Sequence, residues 1–464
     1  MAIFGKIRSG IRKELSTVDR LLLYIGLAFC FFTMFYADIT ITSQFGCVFL
    51  DSLFDLKPFS FYYNAMNSGI APEGAVYDIG AYIIFGIWSL PIWILKRLFG
   101  VSVLSAWSLL WYKALVVVFL LGSGYYLYRI VQVLIGDETV AASSVIMFFI
   151  APMTFMPTFV AAQYDVIALF FMLAGVYYYL TKDVKRWRIF MAVALIIKPF
   201  PIFLLFLMIV WRYKNVFVIV KELLLTCSLF LVCKLLYLPN SGYADSAGGF
   251  MKSHIAQLFE SGIMGGFGNV SFFIMALVII YVVAYVHDFD NNMVLIVLAY
   301  GIWAAFCMFG SIYPYWIIYF APFAVIVTCG YILNNRLLIV DLAANVCLIV
   351  ALILKYSWVY GGAGTYKYLV LKGLCNYGLN DGSGVAVGSV LMKLKFDTMM
   401  PAINAIYMAG FLIIGYYGFQ AAAGRNTLTV EKKINAWHYR IRILLIWFWS
   451  AVTLGTMILS NMGY

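Results

Sequence analysis

The sequence predicts an all-α fold, a polytopic membrane helix bundle whose long external loops contain interfacial helices. Of its 464 residues, 65% are hydrophobic and only 11% are charged, whereas a soluble globular chain is about 25% charged. The mean hydropathy is +0.96. Apolar runs of about 17 to 25 residues recur along the chain, and each can cross roughly 30 Å of hydrocarbon as a helix. We therefore expect one integral-membrane domain over residues 1–464.

The net charge of +11 indicates orientation in a membrane rather than nucleic-acid binding. Most basic residues fall in short polar segments between apolar runs, as the positive-inside rule predicts for cytoplasmic loops. The first apolar run, 21–37, follows several of them and lacks the small-residue cleavage site of a secretory signal peptide. We interpret it as a retained signal anchor of a multi-pass plasma-membrane protein with a cytoplasmic N-terminus.

Extending this orientation through the later basic clusters predicts about 13 spans. The run 79–95 contains Pro91 and ends in Lys96 and Arg97, so it either spans the membrane or lies along its interface. The remaining apolar runs keep all basic clusters on the cytoplasmic side. The predicted spans are 21–37, 106–128, 140–156, 164–180, 189–199, 200–211, 216–238, 271–286, 293–311, 315–333, 337–356, 402–419 and 443–460.

The long polar segments all fall on the external face in this orientation. They are a first external segment with amphipathic helices, 38–104, and two loops, 239–270 and 357–400. Acidic residues are frequent in the first of these. A membrane protein whose long loops share one face is expected to work at that face.

Charged residues at the membrane boundary are costly unless they are used or paired, so they are the first functional candidates. Asp38 follows the first helix and is either a solvated helix-end residue or a general base. Asp165 begins another helix, where the helix dipole alone would favour a carboxylate. Lys198 interrupts an apolar run and is followed by Pro199 and Pro201, which break the helix. Its ammonium needs an anion, either a structural carboxylate or a lipid phosphate.

Weaker candidates lie near the same predicted face. Lys113 lies in the outer half of its helix, and its ammonium likewise needs an anion, either a structural carboxylate or a lipid phosphate. Tyr313, Tyr315 and Trp316 form an aromatic turn between two helices, which is either an ordinary interfacial belt or a surface for a sugar or prenyl chain. His254 is the only histidine placed outside, and alone it cannot form a zinc site.

Several enzyme classes are excluded by missing motifs. The chain contains no GxxxxGK[ST] phosphate-binding loop, and neither G-x-S-x-G nor HExxH occurs. Cysteine and histidine spacing indicates no metal site. An enzyme of this composition would have to take an activated substrate from the membrane itself.

Four short motifs, in this order and topology, resemble the C-type (GT-C) superfamily of integral-membrane glycosyltransferases, and within it bacterial members that use polyprenyl-phosphate sugars. An acidic residue opens the first external segment, a polar triplet begins a helix, a lysine lies in a broken hairpin, and an aromatic turn follows. The motifs are Tyr36-Ala37-Asp38, Gln163-Tyr164-Asp165, Lys198-Pro199-Phe200-Pro201 and Tyr313-Pro314-Tyr315-Trp316.

The resemblance implies transfer of a sugar from a polyprenyl-phosphate donor to a hydroxyl of a glycan, lipid or protein acceptor at the outer face, with inversion, in the making of cell-envelope polysaccharide. Asp38 would be the catalytic base, and Lys198 with Lys113 would hold the donor phosphate. No cofactor is required, although a divalent cation is compatible with the site. The substrate-binding residues of this hypothesis are Gln163, Tyr164, Asp165, His254, Tyr313, Tyr315 and Trp316.

Two other functions stay open on the sequence. A transporter or flippase of lipid-linked glycans would line its path with Lys198 and the acidic residues. A polymerase or ligase of surface polysaccharide would favour arginine-rich external loops, whereas the external basic residues here are nearly all lysine. Substitution of Asp38 discriminates between transfer chemistry and transport.

Overall fold

The chain is nearly all-α in its computed structural model, as the sequence predicts. The structure describes residues 2–266, 268–360, 386–425, 428–431 and 433–461. Within these residues the only strands, β1 (Gly262–Gly265) and β2 (Gly268–Ser271), form one antiparallel hairpin. This hairpin belongs to the predicted external loop 239–270, which is therefore largely ordered.

The α-helices differ widely in length, from three-residue turns to one of 30 residues. We number those of the described residues in chain order. They are α1 (Ala2–Glu14), α2 (Thr17–Thr33), α3 (Ala37–Phe54), α4 (Phe61–Met66), α5 (Ile79–Phe99), α6 (Ala106–Ile135), α7 (Glu138–Ile150), α8 (Pro152–Phe155), α9 (Asp165–Leu180), α10 (Val184–Ile197), α11 (Pro201–Arg212), α12 (Val216–Tyr237), α13 (Ser241–Tyr243), α14 (Gly249–Leu258), α15 (Phe272–Val286), α16 (Asn292–Phe309), α17 (Ala321–Val325), α18 (Asn335–Lys355), α19 (Val387–Lys393), α20 (Met400–Ala422) and α21 (Ala436–Asn461).

Local signals set the ends of the long helices. The Ser105 side chain caps α6 by accepting a hydrogen bond from the backbone N–H of Ser108. Helix α6 ends at Gly136, whose φ of +81° is the left-handed conformation that glycine adopts at helix C-termini. Asp137 then caps α7 through the N–H groups of Thr139 and Val140. Two long helices therefore join with almost no linker.

Seven helical segments of the described residues are long and apolar enough to span a membrane. The number rises to nine if each of two bent pairs crosses as one span. These segments suggest a membrane protein. The predicted number of about 13 spans is not confirmed, because several predicted spans form only short apolar helices, namely Asp165–Leu180, Pro201–Arg212 and Phe272–Val286.

Breaks in the helices explain part of this difference. The first predicted span continues into α3 across a bend of 62°, with extended backbone at Tyr36. A second bend of 58° separates α7 from Pro152–Val160. Proline lacks an N–H and clashes with the preceding turn, so Pro152 ends one helix and starts the next.

The segments differ in how much of their surface other helices cover. Only 17% of the most apolar 18-residue stretch of α12 is buried by the rest of the protein, whereas 94% of Pro314–Tyr331 is buried. Phe217 and Leu235 of α12 are exposed, as expected of side chains that face lipid. The aromatic turn at Tyr313 therefore leads into the most enclosed segment of the bundle.

The predicted alternatives for 79–95 both remain compatible with the structure. Helix α5 has 21 residues and qualifies as a span by length and composition. It is stacked on α6 through Trp88 and Trp111, whose ring centroids are 4.6 Å apart. For the predicted external loop 357–400, residues 361–385 lie outside the described residues.

Lys113 joins two breaks in the helices. Its side chain is fully buried, and its ammonium donates to the carbonyl oxygens of Cys30 (2.7 Å), Met34 and Phe159 (2.9 Å). The first two carbonyls end α2, and Phe159 lies in the π-helical turn Met156–Val160. Carbonyl groups at a helix end often lack a helical partner, and Lys113 supplies a donor from a distant helix. The Cys30 carbonyl also accepts from the Met34 N–H at 3.0 Å, so there Lys113 is a second donor.

We expect Lys113→Met to destabilise the fold. The substitution leaves three buried carbonyls without this donor, and hydrogen bonds to charged groups contribute about 1.5–3 kcal/mol each. Because the variant also no longer buries a charge, the expected net loss is about 2 to 5 kcal/mol. Thermal unfolding of the purified protein in detergent measures it. Lys57→Met, at an exposed position, is the control, and equal stability of the two variants would contradict the assignment.

Candidate functional site

Asp38 and Lys198 line one cavity of about 430 Å³, although 160 residues separate them in the sequence. A second carboxylate, that of Glu73, lines the same cavity. Most of the remaining wall is aromatic. The rings come from Tyr36, Phe45, Tyr77, Tyr82, Phe250, Tyr313, Tyr315, Trp316 and Trp358.

The position of Asp38 follows from the break between α2 and α3. Extended backbone at Tyr36 starts α3 at Ala37, so Asp38 lies in the first helical turn, where the positive end of the dipole favours a carboxylate. The side-chain N–H of Gln163 donates to Asp38 Oδ2 at 2.6 Å. Gln163 is itself buried, and it therefore fixes the direction of the Asp38 carboxylate.

Lys198 reaches the cavity because α10 ends beside it. The residue caps α10 with extended backbone, and the prolines that follow prevent the helix from continuing. Its ammonium lies 3.6 Å from Asp165 Oδ1 and 4.3 Å from the ring centroid of Tyr77. The structural carboxylate that the sequence offers as one partner for Lys198 is thus Asp165, and the ammonium also borders the cavity.

Asp165 lies behind Lys198 and does not line the cavity. It begins α9, is almost completely buried, and accepts a hydrogen bond of 3.3 Å from the Tyr319 hydroxyl. A separation of 3.6 Å from the ammonium is longer than a normal hydrogen bond. Asp165 therefore neutralises Lys198 without enclosing its N–H groups.

The predicted aromatic turn forms one wall of the cavity. Tyr313, Tyr315 and Trp316 all line it, and the chain continues as the short helix Pro314–Tyr319. The ring of Trp316 is 4.4 Å from that of Phe200, next to Lys198. The ring of Tyr313 is 6.0 Å from that of Trp358. Tyr313, Trp316 and Trp358 thus line the cavity from two distant segments, and Phe200 packs against Trp316 outside the lining.

His254 supports this wall from behind. Its ring stacks on Phe250 at 3.7 Å and on Tyr313 at 4.9 Å. Its Nδ1 is 2.6 Å from the carbonyl oxygen of Phe250, so this nitrogen carries the proton. Burial lowers the pKa of His254 below its ordinary value, and the Lys198 charge lowers it further. The neutral imidazole therefore acts as a packing residue beside the cavity rather than as part of its lining.

Five predicted site residues do not line the cavity: Gln163, Asp165 and His254, whose contacts are given above, and Tyr164 and Lys113. Tyr164 is buried with its ring 4.5 Å from that of Phe85. Lys113, expected to hold a donor phosphate with Lys198, lies away from the lining. Its N–H groups are directed to three backbone carbonyls, which is a structural role, and phosphate binding by Lys113 stays a prediction.

Sequence reasoning missed Glu73 and Tyr77. Glu73 precedes Gly74, whose φ of +64° turns the chain back towards the cavity. The Pro-Glu-Gly turn is visible in the sequence, but nothing in it indicates which helix the turn meets. Tyr77 contacts Lys198 only because α5 and α10 pack together.

The cavity combines an oriented carboxylate, a cation and aromatic walls. Asp38 can accept a proton, Lys198 can bind an anion, and the rings can stack on the apolar faces of a sugar. In the part of the chain that the structure describes, no group of three His, Cys, Asp or Glu residues could hold a metal ion. Asp38 and Glu73 therefore offer two carboxylates but not a complete set of protein ligands.

Comparison with known proteins finds no relative of this chain. The resemblance to C-type glycosyltransferases consequently rests on the short sequence motifs and on where their residues lie in the cavity. What the structure establishes is coarser: a nearly all-α chain with several helices long enough to span a membrane. No family model, no curated protein and no solved structure matches this chain.

Proposed function

We propose that this protein is a glycosyltransferase of the C type that moves a sugar from a polyprenyl-phosphate donor to an acceptor hydroxyl at the outer face of the membrane. The observation that carries the proposal is that Asp38 and Lys198 line the same cavity. Its volume of about 430 Å³ lies within the range of about 300–1,000 Å³ common for small-molecule sites.

Asp38 is the general base in this reaction. It accepts the proton of the acceptor hydroxyl while that oxygen forms a bond to the anomeric carbon, and the bond from that carbon to the phosphate oxygen breaks. Attack opposite the leaving group inverts the anomeric configuration. The hydrogen bond from Gln163 at 2.6 Å supports this role, because a base must be held within reach of the proton it removes.

Lys198 stabilises the phosphate that leaves. Charge builds on this group in the transition state, and a fixed cation in a poorly hydrated site is most effective against it. The Lys198 side chain is 9% exposed, and its ammonium lies 3.6 Å from Asp165 Oδ1. It can therefore turn an N–H towards a phosphate oxygen while Asp165 keeps it in place.

The charges of the cavity favour a small anion only beside Lys198. Asp38 and Glu73 repel a phosphate, so the donor is bound with its phosphate at Lys198 and its sugar towards Asp38. Glu73 is then free to accept hydrogen bonds from sugar hydroxyls. This arrangement places the anomeric carbon between the base and the cation, as direct displacement requires.

The aromatic lining supports a sugar linked to a prenyl chain. Sugars present C–H groups that pack on ring faces, and a prenyl chain is wholly apolar. Tyr36 stacks on Trp358 at 5.8 Å, and Tyr313 and Tyr315 are stacked at 6.0 Å. These pairs give the substrate preformed, rigid surfaces.

We expect Asp38→Asn to lower the transfer rate by about 10²- to 10⁴-fold, because an amide cannot accept the hydroxyl proton. Donor binding and thermal stability should stay near those of the unsubstituted protein. The assay is transfer from a panel of polyprenyl-phosphate sugars to added acceptors by the purified protein. Asp55→Asn, at the exposed far end of the same helix, is the matched control.

A different outcome separates transfer from transport. If Asp38→Asn and the unsubstituted protein both move lipid-linked glycans across vesicles and neither makes a glycosidic bond, the enzyme proposal fails. A loss of transfer in Asp55→Asn equal to that in Asp38→Asn would show that the effect is not specific to the cavity.

We expect Lys198→Gln to weaken donor binding by about 10- to 100-fold, since it removes a charge-assisted contact to the phosphate. Thermal stabilisation by the donor measures binding, and the rates give kcat and KM separately. Lys252→Gln, at an exposed position of α14 outside the lining, should bind donor normally. Unchanged donor binding by Lys198→Gln would remove the phosphate assignment.

A further inference from the structure

A second cavity of about 360 Å³ lies on the other side of the aromatic turn. It is enclosed by the last turn of α16, the last turn of α18 and the first turns of α20. Ile312 lines this cavity, whereas the next residue, Tyr313, lines the first. The two cavities therefore share a wall but have different linings.

The second cavity is amphipathic. Its inner wall is formed by apolar or weakly polar side chains of the three helices, namely Cys307, Met308, Leu348, Leu352, Met400 and Tyr407. Polar groups lie at the helix ends, where Lys355, Glu260, Ser311 and Asn404 line it. A ligand that fills this space needs an apolar portion and a polar head.

Lys355 is available to a ligand. Its ammonium donates to the Ser311 hydroxyl at 3.0 Å and lies 5.3 Å from the ring centroid of Tyr356. Among the described residues it makes no ion pair. A solvated lysine at a helix C-terminus would explain the residue type, but not its position at the edge of an amphipathic cavity.

Glu260 supplies the opposite charge across the same cavity. It attracts the Lys355 ammonium, yet the two side chains do not form an ion pair. The space between them can thus accept a group that carries both charges. An isolated anion would be attracted by Lys355 and repelled by Glu260. An isolated cation would be attracted by Glu260 and repelled by Lys355.

We propose that this cavity binds a zwitterionic membrane lipid whose head group carries a phosphate and a primary amine, as phosphatidylethanolamine does. The phosphate contacts Lys355 and Ser311, the amine donates to Glu260, and an acyl chain covers the apolar wall formed by Leu348 and Leu352. The proposal does not depend on the glycosyltransferase function, because lipid binding is measured without sugar transfer.

The experiment is native mass spectrometry of the purified full-length protein in detergent, with phosphatidylethanolamine, phosphatidylglycerol, phosphatidylcholine or inorganic phosphate added in turn. We expect phosphatidylethanolamine to bind at least about fivefold more tightly than phosphatidylglycerol or phosphatidylcholine, the factor expected for one additional ion pair of about 1 kcal/mol. Inorganic phosphate should not bind detectably, because it leaves the apolar wall uncovered. Equal binding of the three lipids would overturn the proposal.

Substitutions place the lipid in this cavity. Lys355→Gln should weaken phosphatidylethanolamine binding, and Glu260→Gln should remove the preference for it over phosphatidylglycerol. The matched controls are Lys393→Gln and Asp397→Asn, at exposed positions outside the cavity lining. If the controls change lipid binding as much as the cavity variants, or if the cavity variants bind all lipids as the unsubstituted protein does, the lipid lies elsewhere and the proposal is wrong.

Discussion

The site depends on how a single ammonium, that of Lys198, is stabilised in a largely buried position. An isolated cation cannot be buried without a large cost in free energy. Asp165 meets this need from the start of α9 at 3.6 Å, and the ring of Tyr77 covers another side at 4.3 Å. These two partners stabilise the ammonium. Because neither binds it closely, Lys198 still borders the cavity.

Lys113 and Lys198 were both predicted from the sequence to bind the donor phosphate, and they show that the surroundings of a lysine decide what its ammonium does. Lys113 donates to three carbonyl oxygens and joins the ends of broken helices. Lys198 has a carboxylate at longer range and a cavity beside it. Both are lysines within apolar stretches, so composition treats them alike. The difference lies in which groups each ammonium meets.

The aromatic turn at 313–316 connects the two cavities physically. Its rings line the first cavity, and the residues just before it line the second. Because packed rings are rigid and His254 stacks against Tyr313 at 4.9 Å, a ligand in either cavity rests against the same wall. A lipid in one cavity and a substrate in the other would therefore contact opposite sides of one turn.

The nearly all-α, apolar-helix character follows from the sequence alone, because it depends on local properties: hydrophobic run length, proline breaks and capping residues such as Ser105 and Asp137. It also singled out Asp38 and Lys198, since charges are rare in apolar runs.

Which of these charges lie close together depends on the packing of the helices. The hydrogen bond from Gln163 to Asp38, the approach of Asp165 to Lys198 and the entry of Glu73 into the cavity join residues far apart in the chain. The number of spans likewise depends on bends of 62° and 58°. Such contacts and angles arise from packing between helices, and no local pattern of residues encodes them.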